Sequence, residues 1–175
     1  MLETIISSKT RIKLLLKFFL NAQSKSYLRG LSQEFGESTN AIRLELNKFE
    51  SAGLLSSEFE GNKKVFRANE VHPLFENLHN LVVKYIGLDK IVEKITYRLG
   101  TVEKVFLVGD YAEGKDKGII DLFILAETLN VNYLTGLLEK VELEIERKVR
   151  YVHFKNNVEL QKLLSQRHHL LIWEQ

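Results

Sequence analysis

The chain has 175 residues, with 25 Lys+Arg against 23 Asp+Glu, a net charge of +2, one proline and no cysteine. That length holds one ordinary domain or two small ones and excludes a large multidomain enzyme. With 45% hydrophobic and 27% charged residues the chain can bury a core, which excludes a disordered tail, and the missing cysteines exclude disulfides, zinc ribbons, iron–sulfur clusters and thiol nucleophiles.

In chain order, the N-terminal residues lack a basic stretch followed by an apolar run, so no secretory signal is expected. From Thr10 to Asn21, apolar residues at Ile12, Leu15, Leu16, Phe19 and Leu20 keep a helical spacing, with Arg11, Lys13 and Lys17 largely on the other side. The run Leu14 to Leu20 is interrupted by Lys17 and is far short of the ~18 residues of a membrane span. A polar break over 22–26 leads to a short helix over 28–35 ended by Gly36. Ser38 or Thr39 can cap a third helix from Asn40 to Ala52, with Ile42, Leu46 and Phe49 inward and Gly53 as its stop. Two short strands around Gly61-Asn62 form a hairpin. Pro73 suits the first turn of a long helical segment whose stripe runs from Leu74 to Ile86 and, past a break at Gly87, through Ile91, Val92, Ile95 and Leu99. Beyond Gly100 the pattern alternates: strands over 104–108, 119–125 and 148–154, a Glu-rich helix around Tyr133 to Ile145, a helix from Asn157 to Ser165, and a terminal Leu170–Trp173 strand or packed tail. The fold class expected is α+β, with a three-helix and hairpin half, a bridging helix and a small α/β half. The domains are set at 1–70, 71–100 and 101–175.

The near-neutral charge hides a mild segregation. Residues 1–70 carry 11 Lys+Arg against 8 Asp+Glu, and the remainder 14 against 15. A basic excess at one end is compatible with a nucleic-acid-binding module there. The order helix, helix, helix, strand, strand is that of a winged helix-turn-helix. Residues 8–70 resemble ArsR/MarR-type winged-helix regulators in Ser38-Thr39-Asn40-Ala41-Ile42-Arg43-Leu44-Glu45-Leu46-Asn47-Lys48-Phe49, in the Ala52-Gly53-Leu54 step and in the Glu60-Gly61-Asn62-Lys63 wing tip. That resemblance implies a transcriptional regulator bound to double-stranded DNA, whereas ArsR-type metal sensing is not carried over, since there is no cysteine and no histidine before His72. With Ile42, Leu46 and Phe49 inward, the third helix presents Ser38, Thr39, Asn40, Arg43, Asn47 and Lys48, types that suit a major groove. Lys63, Lys64 and Arg67 on the hairpin would contact phosphate. Against this, Glu34, Glu37, Glu45, Glu58 and Glu60 dilute the positive field, and the same face also reads as a solvated surface of a protein-interaction module.

In the second half, Gly109-Asp110-Tyr111-Ala112-Glu113-Gly114-Lys115-Asp116 has Walker A spacing but ends in Asp116 instead of Ser or Thr and leads into a strand, so a phosphate loop is not expected. Residues from about 100 to 173 resemble the minimal nucleotidyltransferase fold in element order and in a Gly109 turn with Tyr111-Ala112-Glu113-Gly114. In that family three carboxylates hold two Mg²⁺ ions. Here Asp110 stands for the family's serine, Asp121 is the one acid kept of an Asp-x-Asp pair whose first position is Ile119, and Arg150 lies where the third acid belongs. The resemblance therefore implies a degenerate unit, with no catalytic residue, no metal and no cofactor assigned. A nucleotide or small-molecule effector at Gly109, Asp110, Gly114 and Asp121 stays open, as do Asp110 as a replacement carboxylate and Asp121 paired with Arg150. His168, His169, His72, His79 and His153 lack ligand spacing, and no Ser lies in a Gly-x-Ser-x-Gly elbow. The expectation is a cytoplasmic homodimeric DNA-binding regulator. An active transferase targeted by a winged helix and an antitoxin-like interaction module are its rivals.

Overall fold

The computed structural model describes residues 2–98 and 101–175. The backbone divides into two compact units, Met1–Tyr85 and Ile86–Gln175, each described by itself. Leu99 and Gly100, which the sequence reading used to extend the bridging stripe and to end it, lie outside the described residues. Among the described residues no helix is long and apolar enough to cross a membrane.

The first unit runs α1 (Leu2–Ile5), α2 (Lys9–Leu15), a π-helical turn (Leu16–Leu20), β1 (Lys25–Tyr27), α3 (Leu28–Phe35), α4 (Thr39–Ser51), β2 (Leu55–Glu60), β3 (Lys63–Ala68) and α5 (Phe75–Ile86). Its sheet is antiparallel in the order β1-β3-β2, and Glu60 faces Lys63 across the Gly61-Asn62 turn. Gly61 has φ +62°, which a glycine adopts without the Cβ penalty. This is a winged helix-turn-helix. Ile12, Leu31, Ile42, Leu46, Phe49, Val65 and Phe66 are buried in it, and α4 packs against α2, α3 and β2.

Three local expectations are corrected. The helix from Thr10 does not run regularly to Asn21: it widens into the π turn, where Leu16, Lys17, Phe18, Phe19 and Leu20 are all buried. Five consecutive inward residues exceed what a 3.6-residue repeat can turn to one face, and the wider turn resolves the conflict. Lys17, expected outside, is therefore buried and paired with Glu34 at 3.0 Å. The polar break over 22–26 holds β1, whose Tyr27 pairs with Val65. Pro73 precedes the first residue of α5 by two positions instead of opening the helix, and the His72 ring accepts the Leu74 N–H at 3.1 Å.

Gly87 has φ +90° and separates α5 from α6 (Leu88–Arg98). An added Cβ there would lie 2.4 Å from Cγ2 of Ile145 and 2.9 Å from its Cβ, so backbone conformation and packing both demand glycine. The segment expected to bridge thus consists of two helices, and the division between the units falls one residue before Gly87.

The second unit continues with β4 (Val102–Val108), a 3₁₀ turn (Tyr111–Glu113), β5 (Ile119–Ala126), α7 (Val131–Ile145), β6 (Lys148–Phe154), α8 (Asn157–Leu164) and β7 (His169–Glu174). The sheet order is β6-β5-β4-β7. β5 and β6 are parallel, which requires the α7 crossover between them, while β4 pairs antiparallel with β5 and β7. Residues 122–126 are buried in succession, the signature of a strand covered on both faces. On one face Phe106, Val108, Phe123, Leu125 and Phe154 join Leu160 and Leu164 of α8 in a core cluster. On α7, Leu134, Leu138, Val141 and Ile145 are buried. The mixed α+β class stands, with a nucleotidyltransferase-like strand, turn, strand, helix, strand order in this unit.

Candidate functional site

In the first unit α4 carries the candidate surface. Ser38 caps it, its Oγ accepting the Ala41 N–H at 3.2 Å, and the buried stripe Ile42, Leu46 and Phe49 fixes the helix's rotation. As a direct consequence Ser38, Thr39, Asn40, Arg43, Asn47 and Lys48 are exposed together on the opposite side, with Leu44 among them.

Glu45 is the residue that sequence reasoning misjudged there. Read as part of a solvated face, it is 7% exposed and receives Arg11 Nε at 2.8 Å and Nη2 at 3.3 Å and Lys48 Nζ at 3.0 Å. Burial would raise its carboxyl pKa, but the hydrogen bonds and charges of Arg11 and Lys48 outweigh it and hold the group below the usual glutamate value. Glu45 thus ties α4 to α2, and its charge is spent inward instead of diluting the outer face.

On the wing, Lys63 and Arg67 are exposed and Lys64 is half-buried. Lys64 Nζ lies 2.7 Å from Glu50 of α4, so it braces the hairpin against the helix. Lys63 Nζ sits 4.5 Å from the centre of the Tyr27 ring, and Arg67 Nε is 3.4 Å from Ser56 Oγ. Lys25 of β1 lies 3.2 Å from Glu58 and 3.4 Å from Glu60. Arg43 has no ion pair among those described. The candidates therefore divide into Arg43, Lys63 and Arg67, which have no acidic partner among the described ion pairs, and Lys48 and Lys64, whose charge is shared with an acid of α4.

In the second unit, Gly109 leaves β4 with φ +71° and donates its N–H to the His168 carbonyl at 3.2 Å. An added Cβ at Gly109 would stand 3.6 Å from Oδ2 of Asp121, so the turn and this carboxylate are neighbours. Asp110 opens the 3₁₀ turn and Gly114, φ +76°, closes it. Asp121 and Arg150 are direct partners across the parallel β5 and β6. Arg150 Nε donates to Oδ1 at 2.7 Å and Nη2 to Oδ2 at 2.8 Å, a bidentate fork that occupies both carboxylate oxygens.

These residues do not fit the two-metal centre that the family resemblance implies. Ile119 offers no donor, Arg150 brings a cation where a carboxylate would be needed, and Asp121 is already paired. Among the described residues no three His, Asp or Glu side chains gather into a metal-binding group.

A second ionic cluster went unseen in the sequence. Tyr111, buried, donates its hydroxyl to Asp116. Arg147 donates from Nε to the Tyr111 oxygen at 2.8 Å and from Nη2 to Asp116 at 2.8 Å. Burial would raise the Asp116 carboxyl, but the hydrogen bonds from Arg147 and Tyr111 and the Arg147 charge prevail and lower it. Burial, joined by Asp116, pushes the Tyr111 phenol up, which keeps it a donor. The cluster staples the turn after Gly109 to the start of β6. Tyr111 and Asp116 stood in the loop inspected for phosphate binding, but nothing local points to Arg147, 31 residues farther on.

No family model matches the sequence, and no curated protein matches it. Among solved structures the chain is similar to a mutant of the toxin–antitoxin pair MntA–HpeT, at 20% identity over 51% of this chain and 73% of that chain, with a TM-score of 0.42. It is similar to reduced HlyU from Vibrio cholerae, at 22% identity over 46% and 83% of the two chains, with a TM-score of 0.34. A homodimeric winged helix-turn-helix DNA-binding domain of a possible ArsR-family regulator from Mycobacterium bovis shows 18% identity over 53% and 74%, with a TM-score of 0.34. At these identities and TM-scores the architecture rests on the chain's own element order and strand register.

Proposed function

We propose that the chain is a sequence-specific, DNA-binding transcriptional regulator of the cytoplasm. Residues 1–70 read double-stranded DNA, residues 71–100 bridge and join two copies in a homodimer, and residues 101–175 serve effector sensing or assembly in place of catalysis. The observation that carries the reading is the outer face of α4, where Ser38, Thr39, Asn40, Arg43 and Asn47 are exposed together while the opposite stripe is buried. Arg can bind guanine bidentately, Asn can bind adenine, and a helix so presented fits a major groove. Lys63 and Arg67 would hold phosphate beside it. The paired state of Asp121 supports the non-catalytic assignment of the second unit, in which Gly109, Asp110, Gly114 and Asp121 form the surface offered to a nucleotide or small-molecule effector.

The test is selection of duplexes from a random library by the full chain. A recovered motif, with Arg43→Ala relaxing the preference at one base pair per half-site, is the expected result. Recovery of no motif, with the chain inert toward duplex DNA in low salt, would replace the reading with that of a protein-interaction module.

A further inference from the structure

We infer that the guanidinium of Arg150 is the resident counter-cation of Asp121, filling the place a divalent metal would take, so that the face beside Gly109 excludes Mg²⁺ and Mn²⁺. The inference deepens the reading above and rests on it only for the likeness of the second unit to a nucleotidyltransferase core.

Three observations carry it. The pair is bidentate, at 2.7 and 2.8 Å, and leaves neither carboxylate oxygen without a donor. It is built into the sheet, because Asp121 and Arg150 are register partners on adjacent parallel strands and meet wherever those strands form. The start of β6 is itself anchored. The Lys148 N–H reaches the Gly118 carbonyl at 2.9 Å, the Val149 N–H reaches Glu142 Oε1 at 2.7 Å, and Lys148 Nζ reaches Glu142 Oε2 at 2.7 Å.

Mg²⁺ and Mn²⁺ demand oxygen ligands at close range in near-octahedral geometry, and Mg²⁺ typically takes one or two carboxylates from its protein. On this face the Asp121 carboxylate is already neutralised by a planar cation of matching fork geometry, which does not lose its charge by deprotonation. A divalent ion would have to evict Arg150 or sit against it. The neighbours do not make up the set: Ile119 and Gly109 bring no side-chain donor, and Asp110, the other carboxylate of this face, gathers with no group of three metal-binding side chains among the described residues. Arg150 is thus a positioning and charge-balancing residue, and the face is left to ligands that need no metal.

The test titrates Mn²⁺ into the full-length protein and follows the loss of the free-ion paramagnetic resonance signal. The proteins compared are wild type, Arg150→Glu, Arg150→Gln, and each substitution combined with Asp121→Asn. Wild type should show no Asp121-dependent Mn²⁺ binding. Arg150→Glu, which sets a second carboxylate beside the first, should bind Mn²⁺ at least tenfold more tightly and lose that gain with Asp121→Asn. Arg150→Gln should show a smaller gain with the same dependence, and it decides the matter if Arg150→Glu does not fold by near-ultraviolet circular dichroism. Asp121-dependent binding in wild type as tight as in the variants, or no gain in any folded variant, would overturn the inference. Duplex-DNA binding by the wild-type protein is measured separately; its absence would count against the regulator and leave the metal result standing.

Discussion

Arg147 shows how much one side chain can hold. It ties the Tyr111 hydroxyl and the Asp116 carboxylate together from just beyond the end of α7, so Arg147→Met would leave the Asp116 carboxylate, its side chain 27% exposed, without that cation. The expected cost is about 2 kcal/mol, read as a lower urea midpoint with an unchanged slope. The pH dependence has a definite sign. The folded Asp116 pKa lies below its unfolded value of 3.8, so its contribution is complete well above that value and is lost as pH falls through the folded pKa. Wild type should lose more stability than Arg147→Met between neutral pH and pH ~2. Equal losses would show that the cluster does not hold the turn.

Gly87 is the other residue with a sharp consequence. Gly87→Ala meets Ile145 at 2.4 Å with φ fixed at +90°, and should cost at least ~2 kcal/mol from overpacking and left-handed strain together. Adding Ile145→Ala removes the Cγ2 contact but keeps the Cβ at 2.9 Å, so it should recover only part of the loss, which a double-mutant cycle measures. Full recovery would mean that the backbone conformation is not required.

Among the elements, α4 depends on both ends of its own chemistry. Ser38→Ala removes the cap and should cost about 1 kcal/mol. Glu45→Gln removes the charge that Arg11 and Lys48 share. Because Arg11 and Lys48 are partly exposed, the loss should stay near 1 kcal/mol in urea unfolding. Its value for DNA binding should be opposite in sign: with no acid beneath it, Lys48 gains positive potential, so Glu45→Gln should bind duplex DNA as tightly as wild type or more tightly. Weaker binding by a folded Glu45→Gln would show that the tie to α2 governs how α4 is presented.

These elements also show what could be read beforehand. The inward stripe of α4, the Gly61-Asn62 hairpin and the three strands after Val102 are periodic patterns, and each formed where its period put it. The π turn was hidden because periodicity assumes a regular helix, and five consecutive inward residues break that assumption. β1 was hidden because a three-residue edge strand takes its identity from its partner β3. Of the sites, the exposed face of α4 and the Asp121–Arg150 pair were legible, since helix phase and strand order place them. The Tyr111–Asp116–Arg147 cluster and the inward turn of Glu45 depend on tertiary proximity, which composition and spacing do not encode.

For the whole molecule, charge acquires meaning only after pairing. The excess of two cations over the chain says little, because Lys25, Lys48 and Lys64 are matched by acids within the winged helix. On the proposed reading the cations that face DNA without an acidic partner among the described ion pairs are few, Arg43, Lys63 and Arg67, so the number of counter-ions released on binding should be small. The second unit matches its own charges likewise, at Asp121–Arg150 and Asp116–Arg147. On that reading, tight specific binding by so few cations calls for two copies on one duplex, which is the physical reason a homodimer is proposed.

The central claim, that the face of α4 reads DNA, is tested most directly by fluorescence anisotropy of the full chain on its selected duplex, titrated across a salt series beside Arg43→Ala/Asn47→Ala. Wild type should bind with an affinity that falls linearly on a logarithmic salt scale. The double variant should lose at least tenfold on the selected duplex while keeping its affinity for a scrambled one to within a few fold. Equal affinity of wild type and the double variant for the selected duplex, or binding by wild type that ignores salt, would contradict the account.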